Sequence, residues 1–308
     1  MGEGVVTVKR ALVTGHAGFI GRNMWRRLVA AGYQCTGVDI AVDDQYDFMS
    51  LQQDVRDFFR WNDKHYDLVV HCAAVVGGRT KIDGAPLEVA VDLAIDAELF
   101  QWALRTQPDA IVYFSSSAAY PTWLQRDDGI PLHEDMIDLN GGLLGNPDQT
   151  YGWSKLTGEL LARRYTELGG AVHVFRPFSG YGTDQDLNYP FPAFINRAKR
   201  QLDPFEVWGD GKQVRDFIHV NDIVDAVMTA VDNRVYGPVN LCTGVGTSFN
   251  DLARMVTKAA GYEATVVHRN NAPTGVRYRV GDPTAMSQFY KPKIDLAEGI
   301  DLALTGIA

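Results

Sequence analysis

Cysteine is scarce in this chain. Cys35, Cys72 and Cys242 are the only three in 308 residues, each in a short apolar run and none at metal-ligand spacing from another. This excludes a disulfide-stapled scaffold and a cysteine-held zinc site, and it leads us to expect free thiols in a reducing cytoplasm and no bound metal. Long apolar runs are missing too: none approaches the roughly 18 residues that a membrane span requires, so no membrane partner is expected. Positive charge is in deficit, with 29 Lys and Arg against 38 Asp and Glu, a net charge of −9. Without a basic cluster, a nucleic-acid partner is not expected either. The first ten residues show no basic region leading into an apolar core, so no secretory signal is read. Internal repeats and low-complexity tracts are also absent. What remains is ordinary globular composition, 46% hydrophobic and 22% charged, in a length that suits one large domain or two unequal ones.

The stretch Ala11-Leu-Val-Thr-Gly-His-Ala-Gly-Phe-Ile-Gly21 organises the rest. Ala11 to Val13 reads as a buried strand, and Met24, Trp25, Leu28 and Val29 mark a helix face. Gly15, Gly18 and Gly21 lie between them. A strand that turns through glycines into a helix brings backbone N–H groups and the positive helix end close to a pyrophosphate. With 30 glycines in the chain the spacing alone is weak, but the next strand-like run, Gln34 to Asp39, ends in an acid 18 positions after Gly21. A carboxylate there hydrogen-bonds the adenosine ribose and repels a 2′-phosphate, which points to NAD rather than NADP.

Strand-like and helix-like segments then alternate. Asp67–Ala74, Ala110–Phe114 and Ala171–Arg176 are apolar runs; Leu87–Thr106 and Tyr151–Leu168 carry helical periodicity. This predicts an α/β fold, a Rossmann-like doubly wound parallel sheet, over residues 1–176. After Pro177 aromatics, prolines and short segments predominate. They suggest a smaller C-terminal substrate-binding domain over 177–308, interleaved with the first because Val239–Thr243 reads as one more core strand and 217–247 return to it.

Tyr151 and Lys155 are four residues apart and so share a helix face. A phenol ionises near pH 10, and an adjacent ammonium favours its phenolate. Beside a nicotinamide, such a pair is a general base for a hydroxyl proton. Ser115–Ser117, ending the strand at Phe114, supply hydroxyls near it. His16 and His71 read as packed and hydrogen-bonded rather than catalytic.

On these stretches the chain resembles the extended short-chain dehydrogenase/reductase family, the NAD-dependent epimerases and dehydratases of nucleotide sugars. The resemblance runs from TGHAGFIG through HCAA (His71–Ala74), FSSSAAYP (Phe114–Pro121) and YGWSK to FRPFSGYG (Phe175–Gly182). It continues through GDGKQVRDFIHVND (Gly209–Asp222) and NLCTG (Asn240–Gly244) to RYRVGDP (Arg277–Pro283). It implies that Asp54 and Val55 hold the adenine, that Ala73 and Ala74 line the dinucleotide, and that Phe19, Ile20, Ile40 and Pro177 lie along it. Lys155 then binds the nicotinamide ribose. The catalytic hydroxyl is Ser116, counted back from Tyr120, or Ser117, counted forward from Phe114. Arg215 grips the phosphates of the sugar nucleotide, with Arg277 and Arg279 as a second candidate pair, and Gly77, Gly78 and Asn188 lie near the sugar. A homodimer built on the helices Leu87–Thr106 and Tyr151–Leu168 is also implied.

Departures from the family narrow the reaction. The dehydratases carry Thr-Asp-Glu where this chain has Ser116-Ser117-Ala118, and sugar-acid decarboxylases a glutamate at Ala118. His71–Gly78 and Ser117–Pro121 resemble GDP-mannose 3,5-epimerase and GDP-fucose synthase, but those place a cysteine at the Ala118 position and a lysine or histidine in the later loop. Leu187–Pro192 offers only Tyr189. Carbon-acid chemistry needs one group to remove a proton and another to return it. The expectation is therefore an NAD-dependent nucleotide-sugar 4-epimerase working through a transient 4-keto sugar, on a GDP- or UDP-hexose, with the Gly77-Gly78 likeness favouring GDP. A 3,5-epimerase-like enzyme and a 4-keto-sugar reductase are the alternatives, and a non-catalytic NAD(H) sensor a remote third.

Overall fold

The computed structural model describes residues 8–41, 50–140 and 144–306. From the N-terminus, β1 (Arg10–Thr14) leads into α1 (Phe19–Ala30), then β2 (Gln34–Asp39), β3 (Ser50–Gln52), α2 (Val55–Trp61) and β4 (Leu68–His71). Next come α3 (Arg79–Gly84), α4 (Pro86–Val89), α5 (Val91–Thr106), β5 (Ile111–Phe114), α6 (Gln149–Glu167) and β6 (Val172–Pro177). The C-terminal part holds β7 (Ser179–Tyr181), α7 (Pro190–Lys199), β8 (Phe205–Trp208), β9 (Val214–His219), α8 (Val220–Asp232) and β10 (Gly237–Leu241). It closes with β11 (Gly246–Ser248), α9 (Phe249–Ala259), β12 (Val266–Arg269), β13 (Tyr278–Arg279), α10 (Thr284–Ser287) and α11 (Leu296–Thr305).

Seven strands form one parallel sheet in the order β3-β2-β1-β4-β5-β6-β10. The apolar runs are uninterrupted because helices cover both faces, and the pleat sorts neighbouring residues between them. Ala11 and Val13 enter the core shared with α1 and α8, whereas Leu12 enters the one shared with α2 and α5. Val112 and Phe114 alternate with Ile111 and Tyr113 in the same way. Strand order reverses at β1, so a crevice opens beyond the C-terminal ends of β1 and β4, where ligands of such sheets bind.

β10 joins this sheet beside β6, and α8 packs on α1, although both follow the strands of the smaller part. That part contains a sheet in which β9 pairs with β7, β11 and β13, and a separate β8–β12 pair. Phe191, Phe194, Phe205, Phe217 and Phe249 fill its own core between α7, α9 and α11.

Two helices differ from the sequence reading. The helix expected over Leu87–Thr106 breaks at Ala90 into α4 and α5. At the break Asp92 turns inward and its Oδ1 accepts from Val75 N at 2.6 Å, a tertiary bond that periodicity does not show. The helix bearing Tyr151 starts earlier, at Gln149.

Candidate active site

The glycine turn forms a cradle for a dinucleotide. Gly15 has φ 67°, and a Cβ on it would lie 2.6 Å from Ala73 N, so only glycine lets the turn pass this close to the loop after β4. A Cβ on Gly21 would overlap the Gly15 carbonyl oxygen. Gly18 caps α1 with no side-chain hydrogen bond. The first-turn N–H groups at Phe19 and Ile20 are therefore left to an anion. Asp39, ending β2, accepts from Ala17 N at 3.0 Å and Ala41 N at 2.9 Å, which holds its carboxylate beside the turn where a ribose fits. Ile40, next to it, is 74% exposed. Ala73 and Ala74 are half-buried after β4, and Pro177 half-buried at the end of β6. A close backbone approach, an uncapped helix start and a strand-end acid are what an NAD needs.

Asp54 and Val55, expected at the adenine, open α2 just past β3. Asp54 caps α2 by accepting from Arg56 N at 2.9 Å, and the Arg56 side chain holds its carboxyl below the usual range. Val55 is buried in the core. The Asp54 side chain keeps about a third of its surface exposed, so its carboxylate and the Val55 backbone are what this end of the crevice offers a base.

Tyr151 and Lys155 project from α6, and Glu159 continues the same four-residue spacing. Glu159 binds Arg176 of β6 through two buried bonds of 2.9 and 2.7 Å and accepts from Ser115 Oγ. Arg176 donates to Tyr120 Oη at 3.0 Å, and Tyr120 to Asn240 Oδ1 at 2.7 Å. This pins the turn after the serines. Ser116 Oγ accepts from Ala118 N at 3.1 Å and caps the short turn Ser117–Ala119. Ser116 and Ser117 are both buried there. Gly152 lets α6 close onto the Ala118 carbonyl, which a Cβ would overlap.

Lys155 is buried. Burial alone would lower its proton affinity, but the charges of Asp96, Tyr151, Asp92 and Cys72 reverse the shift and raise it. Beneath it runs a network absent from the sequence reading. Ala73 N donates to Thr14 Oγ1 (3.3 Å), Thr14 contacts His71 Nδ1 (2.8 Å), His71 Nε2 meets Asp96 Oδ1 (3.3 Å), and Tyr113 Oη donates to Asp96 Oδ2 (2.6 Å). The pattern assigns the Nε2–H tautomer to His71. Burial raises Asp92, one turn earlier on α5, to about 6, and its Oδ2 has no partner among the described residues. Only periodic acids facing inward on α5 hinted at this pair. The reading of His71 as hydrogen-bonded stands. His16 is packed against Trp25, but neither ring nitrogen has a hydrogen-bond partner among the described residues.

Across the crevice, arginines converge. A cavity of about 540 Å³ is lined by Arg79, Asp83, Pro86, Asp148, Gln149 and Gly275, among others. Asp148 accepts from Arg79 and from Arg279 Nη2 (2.9 Å). Arg215 has no carboxylate partner among the described residues; it donates to the carbonyls of Val214 (2.8 Å) and Thr274 (3.2 Å). Burial, then the charges of Arg279 and Arg79, push it down to about 9. The Asp148 carboxylate opposes that shift without bonding Arg215 directly. Arg277, expected to act as a pair with Arg279, does not join this group, because Asp127 (2.7 Å) and Asp210 (2.9 and 3.1 Å) engage it. Sequence reasoning missed Arg79 and Asp148, which carry no motif of their own. Near the sugar positions a Cβ on Gly78 would overlap the carbonyl oxygen of Asn188, so the loop before α7 closes on the glycine pair. Asn188 itself is exposed.

His65, Asp67 and Asp109 cluster at the opposite, N-terminal ends of β4 and β5. Asp67 accepts from Arg10 N (2.6 Å) and His65 pairs with Asp109.

The profile of the NAD dependent epimerase/dehydratase family matches residues 11–242, from β1 to just past β10. The chain belongs to this family. NAD is therefore its cofactor, and the cradle described above fits it. A Methanocaldococcus jannaschii protein provisionally named a UDP-glucose 4-epimerase is 28% identical over 94% of this chain and 95% of its own. The dTDP-4-dehydro-6-deoxy-D-allose reductase of Streptomyces bikiniensis is 29% identical over 91% and 90%. In three dimensions, the UDP-glucose 4-epimerase of Thermotoga maritima, solved with UDP-glucose, superposes with a TM-score of 0.82 over 96% of this chain and 97% of its own, at 24% identity. This shows the Rossmann-like fold. This NAD-dependent epimerase/dehydratase has no helix, among its described residues, long and apolar enough to cross a membrane.

Proposed function

We propose that this family member is a nucleotide-sugar 4-epimerase, with Tyr151, Lys155 and Ser116 or Ser117 as its catalytic residues. The observation that carries the reading is the pairing of Tyr151 and Lys155 on one face of α6 where the described residues around them offer no thiol and base set for carbon-acid chemistry. Ala118 supplies a methyl where a thiol would be needed. Burial pushes the Cys72 thiol up to about 12, so it stays protonated at neutral pH. Burial and the neighbouring Tyr151 raise Tyr189 above a phenol's ordinary range.

In this mechanism Tyr151 takes the proton of the C4 hydroxyl and gives it back after the 4-keto sugar has turned over. Lys155 lowers the cost of the phenolate by its charge. A serine hydroxyl from the turn after β5 orients the reacting oxygen. Bound NAD⁺ supplies the acceptor and donor of the C4 hydrogen. Arg215 takes the diphosphate of the nucleotide, because the planar fork of a guanidinium suits a bidentate phosphate contact. Either UDP or GDP fits this reading; the Methanocaldococcus relative favours UDP and the glycine pair GDP. The same reading includes a cytoplasmic homodimer.

Turnover in D₂O is the test. The C4 hydrogen is expected to pass from substrate to product with no solvent deuterium at C3 or C5; deuterium at either carbon would replace this reading with a 3,5-epimerase. The Streptomyces relative favours a second reading, a 4-keto-sugar reductase. Stoichiometric consumption of NADH with a 4-keto sugar would establish it instead.

A further inference from the structure

Asp148 has no part in the reaction as drawn above, yet the elements of the site meet on it. Its Oδ1 and Oδ2 accept from Arg79 Nη1 at 2.8 and 2.9 Å, and Oδ2 accepts from Arg279 Nη2 at 2.9 Å. Its N–H donates to the Ala118 carbonyl at 2.9 Å, just after the serines, and its carbonyl accepts from Gly152 N at 2.8 Å in the first turn of α6. An aspartate in this position ordinarily caps its helix with its own carboxylate. Asp148 makes no such bond and gives its oxygens to arginines. It is buried, and although burial opposes the charge, Arg279 and Arg79 hold its carboxyl below the ordinary range. The next residue, Gln149, has φ 57°, a left-handed backbone that a non-glycine residue keeps only where its surroundings over-determine it. Tyr151 follows two residues later.

The two arginines come from different halves, Arg79 from α3 and Arg279 from β13, and Arg215 stands near both and feels the Asp148 charge, with no carboxylate bonded to it among the described residues. We propose that Asp148 is a positioning residue that couples the filling of this arginine cluster by a diphosphate to the placement of the Tyr151 phenol. The inference rests on the nucleotide-sugar reading, because the diphosphate supplies the charge. A dianion at Arg215 and Arg279 competes with Asp148 for Arg279. Any adjustment of Asp148 passes to the serine turn through its N–H and to the first turn of α6 through its carbonyl. The reacting hydroxyl and its base are thus aligned when the diphosphate is seated.

The test compares the NAD-loaded native protein with Asp148→Asn and Asp148→Glu, using UDP and GDP as probes in calorimetry and the matching hexoses for turnover. Asp148→Asn is expected to lower kcat by about 100-fold, the scale of a 1 Å misplacement of a reacting group. Its affinity for UDP or GDP should be unchanged or higher, because a competing carboxylate has gone. Asp148→Glu, which keeps the charge, should recover part of the loss. An Asn variant with kcat within about threefold of native would overturn the proposal. So would equal impairment of the Glu and Asn variants, or a loss of nucleotide affinity in step with kcat. Coupling is also read without turnover, from the phenolate absorption of Tyr151 taken as the difference from Tyr151→Phe. Nucleotide should perturb this signal in the native protein and not in Asp148→Asn; equal perturbation in both overturns the proposal. A native protein that shows this coupling but converts no hexose would sink the 4-epimerase reading and leave Asp148 in its role.

Discussion

Arg215 is half-buried beside two other arginines with no carboxylate bonded to it among the described residues, and that crowding of like charge costs stability in the free protein. Replacing it with methionine should raise the melting temperature of the ligand-free protein. The same change should weaken UDP or GDP binding by about 10- to 100-fold, the worth of a charge-assisted contact of roughly 1.5–3 kcal/mol. Scanning calorimetry and titration calorimetry read the two effects, and a lower melting temperature with unchanged affinity would refute the assignment. Asp92 makes a second residue-level expectation. Its folded-state value of about 6 lies above the unfolded value near 4. The folded protein therefore binds the proton more tightly, and this contribution is present at low pH and lost as pH rises from about 4 through 6. Asp92→Asn, which can still accept from Val75 N, should remove that slope and stabilise the protein at pH 7 by up to about 3 kcal/mol. Urea unfolding at pH 4.5 and 7 checks it; a variant no more stable than native at pH 7 would contradict it.

At the level of elements, the β1–α1 turn is where motif and structure coincide most closely. Gly15 and Gly21 tolerate no Cβ for stated steric reasons, so Gly21→Ala should yield protein that purifies without NAD. Asp39→Ala should bind NAD more weakly and lose its discrimination against NADP, measured by fluorescence titration; tighter NADP than NAD binding by the native protein would overturn the role of Asp39. Strands β1, β4, β5 and β6 were legible in the sequence because a parallel strand buried on both faces is a continuous apolar run. The break at Ala90 and the start of α6 at Gln149 were not. Both depend on tertiary bonds, Asp92 to Val75 and Asp148 to Ala118, that leave no periodic trace.

For the whole molecule, α5 and α6 pack together on one face of the sheet, and each keeps apolar side chains toward solvent. Leu93 and Leu104 on α5 and Trp153 on α6 are 40%, 41% and 42% exposed. A two-fold homodimer would cover them, and a self-complementary patch is the usual route to such symmetry. Light scattering at micromolar concentration should give twice the chain mass of 34.1 kDa, and Trp153→Glu should shift it toward the monomer. A native protein that scatters as a monomer would remove the assembly from the proposal.

The order of apolar runs, the glycine turn, the acid ending β2 and the Tyr151–Lys155 spacing are local, and from them the sequence by itself determined a doubly wound NAD-binding sheet and the helix face that carries the proposed base. Only the tertiary structure decided which charges meet. It drew Arg279 into the crevice and gave Arg277 to Asp127 and Asp210, two residues apart on a single strand end. It set Asp92 and Asp96 beneath Lys155, and brought Arg79 and Asp148 to the same cavity. Charge pairing acts across any sequence separation and has no period, so it becomes readable only once the chain has folded.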